Sequence, residues 1–163
     1  MPSAVYTPVI FLACTNDQTG KGHSAPSVED CEAINEILQP YVEQEGCELI
    51  EARQGAALYP EDVFNQRSRK AQVALIQLLG ESREGGALAF RSRSGERVMH
   101  VAELGEVMGS FPEMKLAILS GLATDDLVKQ LLCRGVPAVL SLPSDEWRLP
   151  ATREFYFALL EGQ

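Results

Sequence analysis

Basic residues are in short supply in this 163-residue chain. Fourteen lysines and arginines face 23 aspartates and glutamates, a formal net charge of -9. Association with nucleic acid draws on cations that neutralise phosphates and release counterions, so no nucleic-acid partner is expected. A basic protein surface is the complementary partner, because opposite fields steer encounter. Cysteine is sparse as well. Cys14, Cys31, Cys47 and Cys133 show no C-x-x-C spacing and no nearby paired histidines, which speaks against zinc or any other metal site, and no cofactor is expected. Three of the four sit in apolar or helical contexts, as reduced cysteines do. Met1-Pro2-Ser3-Ala4 lacks a charged start and a long apolar run, so no secretory signal is expected. No apolar stretch approaches the length of a membrane span. A reduced cytoplasmic setting without a membrane follows as the expectation. Internal repeats and low-complexity tracts are also lacking.

What is present is the composition of a soluble domain. Hydrophobic residues make up 45% and charged residues 23%, and the length suits one domain with a real core. Pro8-Val9-Ile10-Phe11-Leu12-Ala13 is a continuous β-type run, as in a strand buried on both faces. Thr15 to Ser27 is rich in Asn, Asp, Gly, Ser and Pro and reads as a long loop. Ser27 can cap a helix over about Val28 to Gln44, with Glu29 and Asp30 in its first turn and Ala33, Ile34, Ile37, Leu38 and Tyr41 on its apolar face. Cys47 to Ala52 alternates like a half-exposed edge strand. Pro60 can open a short helix carrying Val63 and Phe64.

A third strand, Val73 to Leu79, is followed by Gly85-Gly86 and a small hairpin. Its arms are Ala87 to Phe90 and Arg97 to Met99, with a turn over Ser92 to Glu96. Val101, Leu104, Val107 and Met108 mark a helix ending near Gly109. A fourth strand spans Leu116 to Leu119. Thr124 can cap a helix through Cys133, and Gly135 suits its C-terminal turn. A fifth strand covers Val136 to Leu140, and a last helix Ala151 to Leu160. This alternation predicts an α/β fold with a mainly parallel sheet, helices on both faces and a hairpin insertion. The expected organisation is a short N-terminal extension, residues 1–7, and a single domain, residues 8–163, of the kind excised from a longer protein.

Several residues could carry chemistry. Gly20-Lys21-Gly22 follows a strand but lacks the P-loop spacing and reads as a surface loop. Cys14 and His23 could be a nucleophile and base, although such a dyad needs hydrogen-bond reach and a third group orienting the base, which a loop supplies poorly. His100 begins a helix and reads as a solvated or capping residue. Asp125 and Asp126 sit in a helix's first turn, where they suit the dipole and would repel phosphate. Arg91, Arg93 and Arg97 gather positive charge on the hairpin, with Arg67, Arg69 and Lys70 nearby in sequence. They are either solvated charges that guard a sheet edge or a docking patch.

In open α/β sheets chemistry sits beyond the carboxyl ends of the strands. The third strand runs into Gly80-Glu81-Ser82 and the fourth into Ser120-Gly121-Leu122-Ala123-Thr124. Read in order, Pro8 to Ala13 with Asn16-Asp17, Glu32-Ala33-Ile34 with Leu38-Gln39-Pro40, Cys47-Glu48-Leu49, Pro60-Glu61-Asp62-Val63-Phe64, the third strand, Leu116 to Thr124, Gly135 to Val139 and Phe155 to Leu159 resemble bacterial CHAT domains. These are caspase-like cysteine proteases related to separase. The resemblance, in keeping with the general rule for open α/β sheets, implies a caspase-like three-layer sandwich whose five main strands run in the order 2-1-3-4-5. It also implies a catalytic histidine where Glu81 stands and a catalytic cysteine where Leu122 stands.

Leucine has no nucleophilic atom, and a carboxylate does not replace imidazole at neutral pH without a large pKa shift. No histidine lies between His23 and His100, and no cysteine between Cys47 and Cys133, so a small slip in register restores no dyad. The implied function is a pseudoprotease module for protein–protein interaction in a bacterial signalling, conflict or defence system. Its partner would be an active protease or another module of the same system, with self-association as a further possibility. Its candidate cleft comprises Asn16, Asp17, Glu81, Ser82, Ser120, Leu122 and Asp125. The alternatives are an enzyme of different chemistry on a similar fold, such as a TIR-like NADase built on a glutamate, and a homotypic assembly scaffold.

Overall fold

Two runs without polar alternation form the centre of the molecule, β1 (Val9–Cys14) and β3 (Val73–Leu79), and every residue in both is buried. The computed structural model describes residues 7–15, 26–52, 59–80, 82–120, 125–142 and 147–162. The other strands are β2 (Glu48–Ala52), β4 (Leu88–Ser92), β5 (Gly95–Met99), β6 (Leu116–Ser120) and β7 (Val139–Leu142). The helices are α1 (Pro26–Glu43), α2 (Pro60–Asn65), α3 (Arg67–Lys70), α4 (Val101–Gly109), α5 (Asp125–Cys133) and α6 (Arg148–Glu161). Five strands pair in parallel in the order β2-β1-β3-β6-β7, while β4 and β5 form a separate antiparallel hairpin. The α/β class, the sheet order and the hairpin insertion are as the sequence predicts.

A strand buried on both faces needs a helix layer on each side. On one side Ile10, Leu12, Leu75, Leu79 and Ile118 pack against Cys31, Ile34 and Leu38 of α1 and Tyr156 of α6. On the other, Phe11, Ala13, Ile76, Leu78, Ala117 and Leu119 pack against α2, α4, α5 and the hairpin through Val63, Phe64, Leu104, Met108, Leu127, Leu131 and Phe90. Phe64 gathers that second layer, with edge-to-face contacts to Phe11 and Phe90 at 5.9 Å and to Phe111 at 6.4 Å. One irregularity interrupts the ladder. Val9 pairs with Val73 but Ile10 pairs with Leu75, so Ala74 is an extra residue in β3. Its carbonyl accepts the Lys115 N–H at 2.7 Å instead.

Several boundaries move from their predicted places. The fifth strand of the main sheet begins at Val139, not Val136. Gly135 takes a φ of +91° at the end of α5, and the Val136 N–H is held by the Leu131 carbonyl at 3.1 Å. That is a helix stop of the Schellman kind, and Pro137 after it has no N–H for a ladder. α6 starts at Arg148 because Pro150 is tolerated in a first turn. α1 starts at Pro26, so Ser27 lies inside the helix and does not precede it. Thr124, the predicted cap of α5, lies outside the described residues. The short α3 has no counterpart in the sequence reading, since its four residues RSRK carry no apolar periodicity. Among the described residues no helix is long and apolar enough to cross a membrane.

Candidate functional site

The carboxyl ends of β1, β3 and β6 lie side by side. Leu79 pairs with Cys14 on one flank and with Ser120 on the other. The ladder extends one step further, with the Thr15 N–H donating to the Leu79 carbonyl at 2.9 Å and the Gly80 N–H to the Ser120 carbonyl at 3.3 Å. Gly80 has a φ of +134°, and a Cβ there would stand 1.7 Å from the Thr15 hydroxyl. Glycine is thus required on two counts, backbone conformation and the close approach of β1 to the turn out of β3. Here the chain leaves the sheet and the candidate cleft begins.

Directly beneath this rim lies a buried polar chain. Gln77, in the middle of β3, has no exposed surface. Its amide oxygen accepts the Tyr156 hydroxyl of α6 at 2.6 Å, and its amide nitrogen donates to the Ser120 hydroxyl at 3.0 Å. The chain joins α6, β3 and β6 and satisfies groups that would be costly to bury alone. Burial, and secondarily the neighbouring Cys47, push the Tyr156 phenol well above its ordinary range. Burial also raises the Cys47 thiol. The one polar residue in an otherwise apolar doubly buried strand is a signal present in the sequence, and it marks a place where the core needs hydrogen-bond partners.

Of the predicted cleft residues, Ser82, Ser120 and Asp125 are described. Ser120 is buried at the rim and engaged by Gln77, Asp125 opens α5 and is exposed, and Ser82 is half-buried two residues past Gly80. The Ser82 hydroxyl is buried without a hydrogen-bond partner among the described residues. Asn16, Asp17, Glu81 and Leu122 lie outside the described residues, and so does His23 of the Cys14–His23 pair. Cys14, Cys31 and Cys47 are buried and Cys133 is exposed. His100 is the N-cap residue of α4; it is exposed and its side chain makes no cap hydrogen bond. Among the described residues no group of three or more His, Cys, Asp or Glu could hold a metal ion.

The hairpin arginines are brought together, but around α2. Arg91 and Arg93 stand over the Tyr59 ring at 5.3 and 5.5 Å. Arg93 also reaches Asp62 at 3.3 Å, and Arg97 reaches Glu103 at 2.6 Å and Glu61 at 3.9 Å. Arg83 grips Glu96 with two bonds of 2.6 and 2.9 Å. Carboxylates of α2, α4 and β5 therefore meet most of this positive charge within the molecule.

No protein-family model matches the chain, and no curated protein matches it. The α/β class and the five-stranded parallel sheet rest on the architecture itself.

Proposed function

We propose that this chain is a degenerate CHAT-like, caspase-like domain, a pseudoprotease that binds a protein partner at the carboxyl edge of its sheet without cutting it. The observation that carries the reading is the register of two neighbouring strands. Leu79 of β3 and Ser120 of β6 are partners at the end of their ladder, so residues 81 and 122 are each the second residue past that pair. The resemblance would fill these two positions with histidine and cysteine, and the sequence supplies glutamate and leucine. A thiolate or alkoxide nucleophile and a base held within hydrogen-bond reach are both needed for acyl transfer. The Ser120 hydroxyl at the end of β6 is buried and takes a hydrogen bond from Gln77. Such a rim retains the means to orient a peptide through strand-end backbone groups and polar side chains. In this reading the partner is an active protease or another module of a cytoplasmic bacterial signalling or defence system.

The test is a peptide library passed over immobilised protein, with retained and flow-through peptides sequenced. Retention without new termini is expected. Leu122→Asp is expected to weaken retention by about tenfold, the scale of a lost central anchor. Cleavage abolished by Ser120→Ala or Cys14→Ala would overturn the reading in favour of a hydrolase. NAD loss abolished by Glu81→Gln would overturn it in favour of the glutamate-based alternative. Absence of retention would remove the cleft as the binding surface.

A further inference from the structure

At the opposite edge of the sheet, α1 and α6 enclose a groove of about 500 Å³ lined by Glu36, Ile37, Pro40, Tyr41, Gln44, Arg153, Phe157 and Glu161. The α1 wall comes from the C-terminal half of that helix, and the α6 wall runs from Arg153 to the helix end at Glu161. α1 then turns directly into β2, with the Gly46 N–H held by the Tyr41 carbonyl at 2.8 Å and the Glu48 N–H by the Pro8 carbonyl at 2.9 Å. The groove therefore sits at the amino edge of the strands, remote from the candidate cleft.

Helix C-termini carry a partial negative charge of about half an electron and are ordinarily matched by lysine or arginine in the last turn. Neither helix has a basic residue in its last turn. Their last residues are Glu43 and Glu161 instead, and Glu161 lines the groove together with Glu36. Further back, α1 adds Glu29, Asp30, Glu32 and Glu36 and contains no lysine or arginine over its whole length. Glu36 has no cationic partner among the described residues. Arg153 is the single cation of the lining.

The floor and walls are not merely acidic. Ile37, Pro40 and Tyr41 give apolar surface, and Phe157 is 54% exposed, among the most exposed large hydrophobic residues described. The Tyr41 phenol is raised by burial first and then by the neighbouring Glu161 carboxylate, and both residues line the groove. An aromatic wall beside the Glu36 and Glu161 carboxylates suits a long basic side chain, whose stem lies on the ring while its charged head reaches the acids.

We infer that the α1/α6 groove is a second docking site that takes an amphipathic, lysine- or arginine-bearing segment of a partner protein. The apolar stem would pack on Tyr41 and Phe157, and the cationic head would settle between Glu36, partway along α1, and Glu161 at the end of α6. This inference stands apart from the reading of the cleft, because it uses none of the cleft's residues.

The experiment titrates the isotopically labelled protein with a ten-residue peptide of alternating arginine and leucine, and separately with its glutamate-for-arginine counterpart. Amide shifts confined to Glu36, Tyr41, Gln44, Phe157 and their neighbours are expected with the basic peptide and not the acidic one. Phe157→Ser and Glu36→Lys replace exposed residues, and folding of both is checked by circular dichroism. Each is expected to weaken binding by about tenfold, the effect of removing one anchor residue. Unchanged affinity in Phe157→Ser, with shifts spread along all the carboxylates of α1, would overturn the inference in favour of diffuse charge attraction. Shifts at Ser82, Ser120 and Asp125 would move the binding to the cleft. Shifts at the groove on concentrating the protein alone would make a second copy of the chain the occupant and overturn the inference as stated.

Discussion

Gly80 and Tyr156 show how tightly single residues are specified near the strand ends. Gly80 combines a φ of +134° with a neighbouring hydroxyl where its Cβ would be. Gly80→Ala is expected to destabilise by upward of ~3 kcal/mol, since backbone strain of this kind alone costs about 1–3 kcal/mol. Thr15→Ala removes the hydroxyl, so the double variant should recover part of the loss in urea unfolding. Tyr156→Phe leaves the Gln77 amide oxygen without its donor and is expected to cost about 1–3 kcal/mol.

The same residue sets an alkaline limit. Its phenol is held above the ordinary tyrosine value of about 10. Below that pH both states keep the proton. Above it the unfolded chain gives up the proton while the folded one retains it, so the unfolded state binds fewer protons and stability falls as pH rises. Buried Cys47 acts with the same sign from about pH 8.5 upward. In a Cys47→Ala background, then, the melting temperature of Tyr156→Phe should start lower at pH 7 and close on its parent above pH 10.

The hairpin and α2 form a unit whose cohesion lies in two places. Phe64 receives Phe90 edge-on in the core, and Asp62 serves two partners at the surface. Asp62 accepts the Tyr59 N–H at 3.2 Å, closing the first turn of α2, and also meets the Arg93 guanidinium. Removing the carboxylate loses a cap, whereas removing Arg93, whose side chain is 70% exposed, loses a solvent-screened pair and an exposed contact with the Tyr59 ring. Asp62→Ala is expected to cost about 1–2 kcal/mol, the range of a lost cap. Arg93→Ala should cost less than about 1 kcal/mol, shrinking toward nothing in half-molar salt. Equal losses from the two variants, both erased by salt, would show that the ion pair and not the cap secures the hairpin.

Across the molecule, the layers were legible in sequence because burial leaves a periodic trace. Two runs without alternation, VIFLAC and VALIQLL, sit between helices with apolar stripes, and that pattern admits few arrangements. The start of β7 was not legible, because Val136 is apolar yet its N–H belongs to the helix stop. α3 was invisible for the opposite reason, as it has no face to bury. At the candidate cleft, the strand ends and Ser120 were found from the pattern, while the partners of Ser120 were not. The hydrogen bond from Tyr156 to Gln77 joins residues 79 positions apart, and no local spacing encodes it. The α1/α6 groove was hidden likewise. Tyr41 fits the apolar stripe of α1 by period, and only the arrival of α6 brings Phe157 and Glu161 into a groove with it.

The extra residue at Ala74 divides β3 into two reading frames. Val73 belongs to the layer of α2, α4 and α5, and two positions on Leu75 already belongs to the layer of α1 and α6. Strict alternation would have kept the two together, so every later residue of β3 owes its side of the sheet to that single slip. Deleting Ala74 would join the two frames and leave each side chain in its present layer. Deleting Ile76 instead would either swap the layers beyond it, turning Gln77 away from Tyr156 and Ser120, or exchange those of Val73 to Leu75 before it. For insertions and deletions, β3 is punctuated, and Ala74 is its comma.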